Sequence, residues 1–395
     1  MSIRKVSLGL LVSAVSLYFV LRNVQWEEVW AHLRNVDLTL FGLSMLLMLL
    51  AYFLMTWRWQ HLLDPLDIPG TGNSAPPVDG QRRGIRHHVS LIRLYGMTMT
   101  GYFFNAFFPA RAGDLVRAYL LGHRTGLRKT TVLATVVIEK AFDGIALLLM
   151  LLLSLLLLPS AAASNSVGFD LNSLAWISGI ALVATLAGLV LFYMHNARIA
   201  HLVEKILGYL PLPDKLRKMA VRLIETFASG MHVFKNPRPL VSAALISLLV
   251  WAVVAVMFMV GLASFNTPFP QGLMDPVGLL FMTAVVDLGL LIPALPGNVG
   301  TYEALVIATM AFFRVDKELA VAFALVFHVG QLAVTLVVGM LAFWAQNMSL
   351  AEMRPVEEQA EQDAEEALEA PALAVEEIEP EPASALRDPI SRTAE

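Results

Sequence analysis

The sequence predicts an all-α protein: a polytopic membrane helical bundle with about six full crossings plus two oppositely oriented broken, re-entrant hairpins, some eight hydrophobic segments arranged as an inverted repeat. Three observations carry that prediction. Hydrophobic residues make up 57% of the 395 residues and charged ones only 15%, with a mean hydropathy of +0.65; soluble domains hold about 45–50% apolar and about 25% charged residues. Apolar runs such as "LTLFGLSMLLMLLAYFLMTW" at 38–57 reach the roughly 20 residues that cross about 30 Å of hydrocarbon. Finally, arginine and lysine gather in alternate connecting segments, as cytoplasmic loops require.

Taken in order, the first segment is 6–21, after Arg4 and Lys5; no small-residue cleavage site precedes "RNVQWEEVW", so it reads as an uncleaved helix. Crossing 38–57 follows. The segment 58–93 carries Arg58, Arg82, Arg83, Arg86 and Arg93 and is assigned to the cytoplasm. The apolar stretch 94–108 lies between Arg93 and the basic "RAYLLGHRTGLRKT". Both of its flanks read cytoplasmic, so it must enter and return. Crossing 130–158 leads to 159–173, which has no arginine or lysine and faces outward. Crossing 174–194 returns the chain to a second basic loop, 195–238, whose mixed apolar and basic spacing suits either a helix lying on an anionic leaflet or a cytoplasmic hairpin. Crossing 240–263, the uncharged outward loop that follows and crossing 319–345 bracket 277–313, which re-enters from the opposite side. The expected location is a bacterial-type plasma (inner) membrane, multi-pass, with both termini cytoplasmic.

Residues 351–395 hold 14 of the 32 acidic residues and only three of the 28 basic ones, leaving 25 basic against 18 acidic in the rest. The body at 1–346 is therefore basic and membrane-embedded, and 347–395 reads as a disordered acidic tail that can recruit a partner. Absent cysteine excludes thiol catalysis and cysteine metal sites. No metal, cofactor or nucleic acid is expected, no catalytic residue is assigned, and the chain is not expected to be an enzyme.

The two re-entrant stretches break alike. The first runs Pro109, three residues, Gly113, then Asp114 and Arg117; the second runs Pro296, three residues, Gly300, then Glu303, with Pro293 just ahead. Each proline removes a backbone donor and clashes with the preceding turn. Non-helical backbone at membrane depth survives only where protein or a wet cavity satisfies it. Interrupted segments at matching places in an inverted repeat point to a transporter's binding site. The half-helix beyond each break offers free N–H groups and a positive dipole end, a seat for an anion such as a lipid phosphate.

Arg111 is the leading phosphate contact, since a guanidinium forks onto two phosphate oxygens and stays charged. Arg117 is either a second contact or an anchor, and Asp114 either a ligand contact or its local i,i+3 partner. Asn105 leads the chain into the first turn. Glu139 and Asp143 share a helix face inside a crossing, where acids are costly and usually interior. They serve either as counter-charge and proton relay or as a structural pair with Lys140 or Arg111. Asp287 precedes the second break, Thr301 is available as the cap of the helix after it, Glu303 is either a site acid or a first-turn acid, and His328 lines the cavity or packs helices.

"NAFFPARAGDLVRAYLL", "VIEKAFDGIALL" and "PALPGNVGTYEALV", in this order, resemble the lysylphosphatidylglycerol synthase transmembrane region family, also described as flippase-like or UPF0104 membrane proteins. The likeness spans roughly residues 5–346. By similarity, Pro109, Arg111, Gly113, Asp114, Arg117, Glu139, Asp143, Pro296, Gly297, Gly300 and Glu303 fall on motif positions. Asn298 stands where relatives often have glycine, which implies a less pliable second loop. The resemblance implies a lipid-flipping or lipid-binding membrane domain whose partner is a membrane lipid with a phosphate-bearing headgroup. The fifty or so residues after Gln346 are too few for the soluble aminoacyl-transfer domain of some members, so lysylation is not expected.

Overall fold

The computed structural model describes residues 22–66, 85–107, 112–158, 173–188, 238–291 and 296–346, together with the single residues 191 and 205. The expected first crossing 6–21, the basic loop 195–238 apart from Lys205 and Arg238, and the acidic tail lie outside these residues. So do Pro109, Arg111 and Pro293.

All regular structure among the described residues is helical. The helices are α1 (Trp26–Arg34), α2 (Leu38–Leu63), α3 (Leu91–Phe107), α4 (Ala112–Thr125), α5 (Lys129–Leu157), α6 (Ser173–Gly188), α7 (Arg238–Ala263), α8 (Pro276–Gly289), α9 (Thr301–Phe312) and α10 (Lys317–Ala345). Local chemistry sets their starts. The Asp37 carboxylate accepts from the Thr39 and Leu40 amides at 2.8 and 3.2 Å, and Asp316 does the same for Glu318 and Leu319 at 3.0 and 3.5 Å. Pro276 occupies the first turn of α8, where its missing N–H costs nothing. Four helices, α2, α5, α7 and α10, are long and apolar enough to cross a membrane. The protein is a multi-pass membrane protein.

Contacts along the helices fix their directions. The Asp37 amide, at the start of α2, donates to the Ser264 carbonyl just past α7, while Arg58 near the end of α2 reaches Ser247 in the first half of α7. These helices are therefore antiparallel. α3 and α4 form one hairpin, in which the Gly113 amide donates to Asn105 Oδ1 at 2.7 Å. α8 and α9 form the other, with Leu305 against Gly289 near the break and Phe312 against Phe281 at the open end.

The hairpins enter from opposite ends of the bundle. Thr100 on α3 accepts from Gln346 Nε2 at the end of α10, and Arg124 at the end of α4 donates to the Gln346 carbonyl, so the open side of the first hairpin lies at that end. The open side of the second lies at the other end, where Gly272 approaches Phe313 and Asn266 reaches back to Asn35 ahead of α2. Their tips meet halfway along α10: a Cβ built on Gly297 would lie 3.6 Å from the Ala106 carbonyl and 3.4 Å from Leu332. Helix pairing repeats under exchange of the halves α2–α5 and α7–α10. α3 packs on α10 as α8 packs on α5; α5 packs on α7 as α10 packs on α2; and each hairpin packs on its own flanking helices in the same way.

Lipid tails supply no hydrophobic drive between helices, so close backbone approach matters. Gly339 lets α10 lie against the backbone of α3 at Met99, and Gly261 and Gly330 receive the rings of Phe327 and Phe41. One expected boundary changes: the crossing 38–57 runs on to Leu63, because "WRWQHLL" continues the helix and buries Trp59, Leu62 and Leu63. The stretch 277–313, expected to re-enter, opens with α8, which ends at Gly289 after 14 residues, too few to span.

Candidate functional site

Beside the first hairpin lies a buried ionic cluster centred on a residue that the loop-charge pattern misassigned. Arg58 was expected in a cytoplasmic loop; it is instead fully buried in α2. Its Nη1 donates to Asp143 Oδ1 at 2.5 Å and to Ser247 Oγ at 2.7 Å, and its Nη2 sits 3.3 Å from Glu139 Oε1. Glu139 is shared with Arg117, whose Nη1 and Nη2 fork onto Oε2 and Oε1 at 3.1 and 3.4 Å. Arg117 also pairs with Asp114 at 3.1 Å, one turn away on α4, and lies over the Trp59 ring with its carbon 4.9 Å from the centroid. Trp251 on α7 donates to Asp143 at 3.2 Å.

Four helices, α2, α4, α5 and α7, thus contribute to one network, with Lys140 of α5 at 3.8 Å on its rim. Glu139 lies ten residues, about 15 Å, from the start of α5, near mid-depth. Lys140, the nearest sequence neighbour, is the long contact; the short ones come from Arg58 and Arg117. Arg58 Nε and Arg117 Nε have no hydrogen-bond acceptor among the described residues. Both point to a centre that is compensated in charge but still has donors to offer.

At the second tip Glu303 folds back so that Oε2 accepts from the Gly300 amide at 2.7 Å and caps α9. Gly300 is the cap position; Thr301, expected there, is the first helical residue, and its Oγ1 has no partner among the described residues. The other Glu303 oxygen is 2.7 Å from His328 Nδ1, and His328 Nε2 is 2.9 Å from the Gly297 carbonyl. Asn298 adopts φ 57°, between Gly297 at 66° and Gly300 at 84°. The left-handed turn is kept without a glycine, because asparagine is among the residues that tolerate it. Replacing Asn298 with glycine should therefore change thermal unfolding by no more than a few tenths of a kcal/mol, whereas isoleucine should cost about 1–2 kcal/mol, read from melting in detergent.

A tyrosine pair bridges the two centres. The rings of Tyr52 on α2 and Tyr102 on α3 are 4.6 Å apart. Tyr102 lies within electrostatic range of Glu139 and Arg117, and Tyr52 of Asp287, while its hydroxyl is 3.5 Å from Thr335. Of the residues singled out from sequence, the structure brings Asp114, Arg117, Glu139 and Asp143 into one cluster, Gly297, Glu303 and His328 into another, and Asn105 and Gly113 into the first turn. Arg58, Trp59, Ser247, Trp251, Tyr52 and Tyr102 were missed. For Arg58 the signal was present: two tryptophans flank it, and the apolar helical pattern continues past it.

A polytopic helical membrane protein with two opposed broken hairpins around a buried ionic centre is the class that fold and site define. The chain belongs to the lysylphosphatidylglycerol synthase TM region family, whose model matches residues 6–339. It is also similar to a protein of Haloferax volcanii named glycosyltransferase AglD, 28% identical over 362 residues, covering 80% of this chain and 56% of the relative. The chain thus spans a little over half the length of that relative. This likeness corrects the expectation that the chain is not an enzyme: a relative aligned to 80% of this chain carries an enzyme's name.

Proposed function

We propose that this protein receives the phosphate-bearing headgroup of a membrane lipid in the polar interior between the two hairpin tips and passes it between leaflets, while the acyl chains stay in the bilayer. The observation that carries this reading is the meeting of opposed broken tips at Ala106 and Gly297, beside buried guanidiniums with spare donors. Arg117 already holds a carboxylate in forked geometry, and a phosphate presents the same pair of oxygens. The starts of α4 and α9 add their positive dipole ends next to the tips, with the Gly113 amide already given to Asn105 and the Gly300 amide to Glu303.

Residues 1–346 act as one membrane unit in this account, with 347–395 as an appendage. In this reading the end of the bundle carrying Arg86, Arg93, Arg124, Arg128 and Arg238, with the end of α10 beside it, faces the cytoplasm; the positive-inside rule supports it. A plasma (inner) membrane suits this reading.

A second reading, favoured by the relative's name, is that the chain acts in the transfer of a glycosyl group on a lipid carrier. Lipid mass spectrometry separates the two. The purified chain should retain a phosphate-bearing lipid, and Arg117→Gln should lose it by about tenfold or more, the scale of one charge-assisted contact. An unchanged lipid inventory in cells with and without the gene favours passage between leaflets; a new or missing glycolipid favours transfer. Equal retention by the parent chain and by Arg117→Gln and Glu303→Gln variants would sink the headgroup site.

A further inference from the structure

The second tip is tied to α10 through one side chain that faces two acceptors. His328 has Glu303 Oε1 at 2.7 Å on Nδ1 and the Gly297 carbonyl at 2.9 Å on Nε2, and its ring is stacked on Tyr302 with centroids 4.3 Å apart. Histidine and glutamate are 5% and 4% exposed. A neutral imidazole has one N–H and one bare nitrogen, and a carbonyl only accepts. Nε2 therefore donates to Gly297, and the Nδ1 contact requires a second proton. That proton resides either on Nδ1, giving an imidazolium facing a carboxylate, or on Glu303, giving an acid that donates to neutral imidazole. Both forms hold one proton more than a neutral histidine beside an ionised glutamate.

We propose that Glu303 and His328 form a proton-binding site: while occupied it holds the second tip against α10, and when emptied it frees the tip. Without the proton, the single remaining N–H serves either Gly297 or Glu303, and one of the two ties is lost. The cap on α9 persists through Glu303 Oε2, so the change falls on the turn at Gly297 and not on the helix. That turn is where the second tip touches Ala106 of the first.

Tyr302 and Glu303 face the ring from α9; Asp287 on α8 lies in electrostatic range of Tyr302; Tyr52 on α2 lies in range of Asp287; and Gln331 on α10 lies near Tyr302. Among these groups there is no cation, and there are two carboxyls, Glu303 and Asp287. From Tyr52 the ring contact with Tyr102 leads towards Glu139 and Arg117, so the tyrosine pair lies between the proton site and the ionic cluster. Coupling of the proton to headgroup passage rests on the function proposed above; the proton site itself does not.

The test has two arms, using the full chain. Nitrogen-15 spectra of histidine-labelled protein in detergent, with His328 identified by its loss in His328→Gln, and carboxyl spectra of labelled glutamate are recorded at pH 7.5, about one unit above the ordinary imidazole value. The expected result is either both His328 nitrogens protonated or Glu303 protonated, with Glu303→Gln leaving His328 with a single proton. Neutral His328 beside ionised Glu303 at that pH overturns the site. In the second arm, passage of a fluorescent phospholipid across vesicles is followed while the pH on one side is varied. The rate is expected to change by up to about tenfold per unit, the limit for one titrating group, and to be flat in Glu303→Gln. A rate independent of pH in the parent chain overturns the coupling, whatever the spectra show. Absence of any passage defeats the proposed function and leaves the spectra to decide the site.

Discussion

Arg58→Ala is expected to cost about 3–5 kcal/mol and to leave little folded protein. Removing this guanidinium strands Asp143 and Glu139 in a centre where Arg58, Asp143 and Glu139 are each at most 4% exposed, and breaking one side of a buried pair leaves an uncompensated charge. The loss falls unevenly. Glu139 keeps the fork from Arg117, whereas among the described residues Asp143 keeps only the Trp251 indole and the 3.8 Å approach of Lys140. The double change Arg58→Leu with Asp143→Leu removes both charges and should recover a large part of the stability, because apolar residues of similar volume often replace a buried pair at little cost. Folded yield after solubilisation and the melting temperature check this. A double variant as unstable as Arg58→Ala would mean that the charge of Asp143 is not what the arginine compensates.

The second large effect is expected at Gly113. A methyl group there would overlap the Gly101 carbonyl and press on Asn105 Oδ1, so α3 and α4 cannot keep their crossing. Gly113→Ala is expected to destabilise by about 1–3 kcal/mol or more, as overpacking of a tight contact does, and to break the Gly113 to Asn105 hydrogen bond that closes the first turn. Gly101→Ala meets the Gly113 carbonyl at 2.8 Å, a shallower overlap, and should cost less. Melting of the two variants side by side tests the order; equal or reversed effects would show that the hairpin does not rest on this crossing. Asp114 and Arg117 begin within a turn of Gly113, so the same change should also loosen the ionic cluster.

Much of this arrangement was legible in the residues because breaks and charges are local. Pro296 with Gly300 marks the second turn by its own backbone chemistry, and Gly113 marks the first by its close approach to Gly101, while Pro109 lies outside the described residues. The acids at 139 and 143 announce an interior face by standing inside an apolar run. Loop charge counting then gave opposed hairpins, and the contacts at Gln346 and Gly272 place them so. It failed at Arg58 for a physical reason: an arginine at the end of a hydrophobic run has the same composition whether it anchors at the interface or turns inward to meet an acid 81 positions later. Long-range pairing decides between the two, and single-residue patterns do not contain it. The same limit hid the tie between Glu303 and His328, 25 residues apart. Each was legible as a polar group in an apolar helix, and neither as the other's partner. At Asn298 the substitution of a glycine suggested stiffness, but the required conformation is one that asparagine adopts.

The central claim is that a lipid headgroup passes between the two tips past Arg117. Its most direct test is sidedness in vesicles reconstituted with the full chain, using a fluorescent phospholipid in both leaflets and a membrane-impermeant quencher outside. The account predicts that the parent chain exposes nearly the whole fluorescent pool to the quencher, while Arg117→Gln, purified at equal folded yield, leaves about half protected, as empty vesicles do. Half protection by the parent chain, or full exposure by the variant, would contradict it.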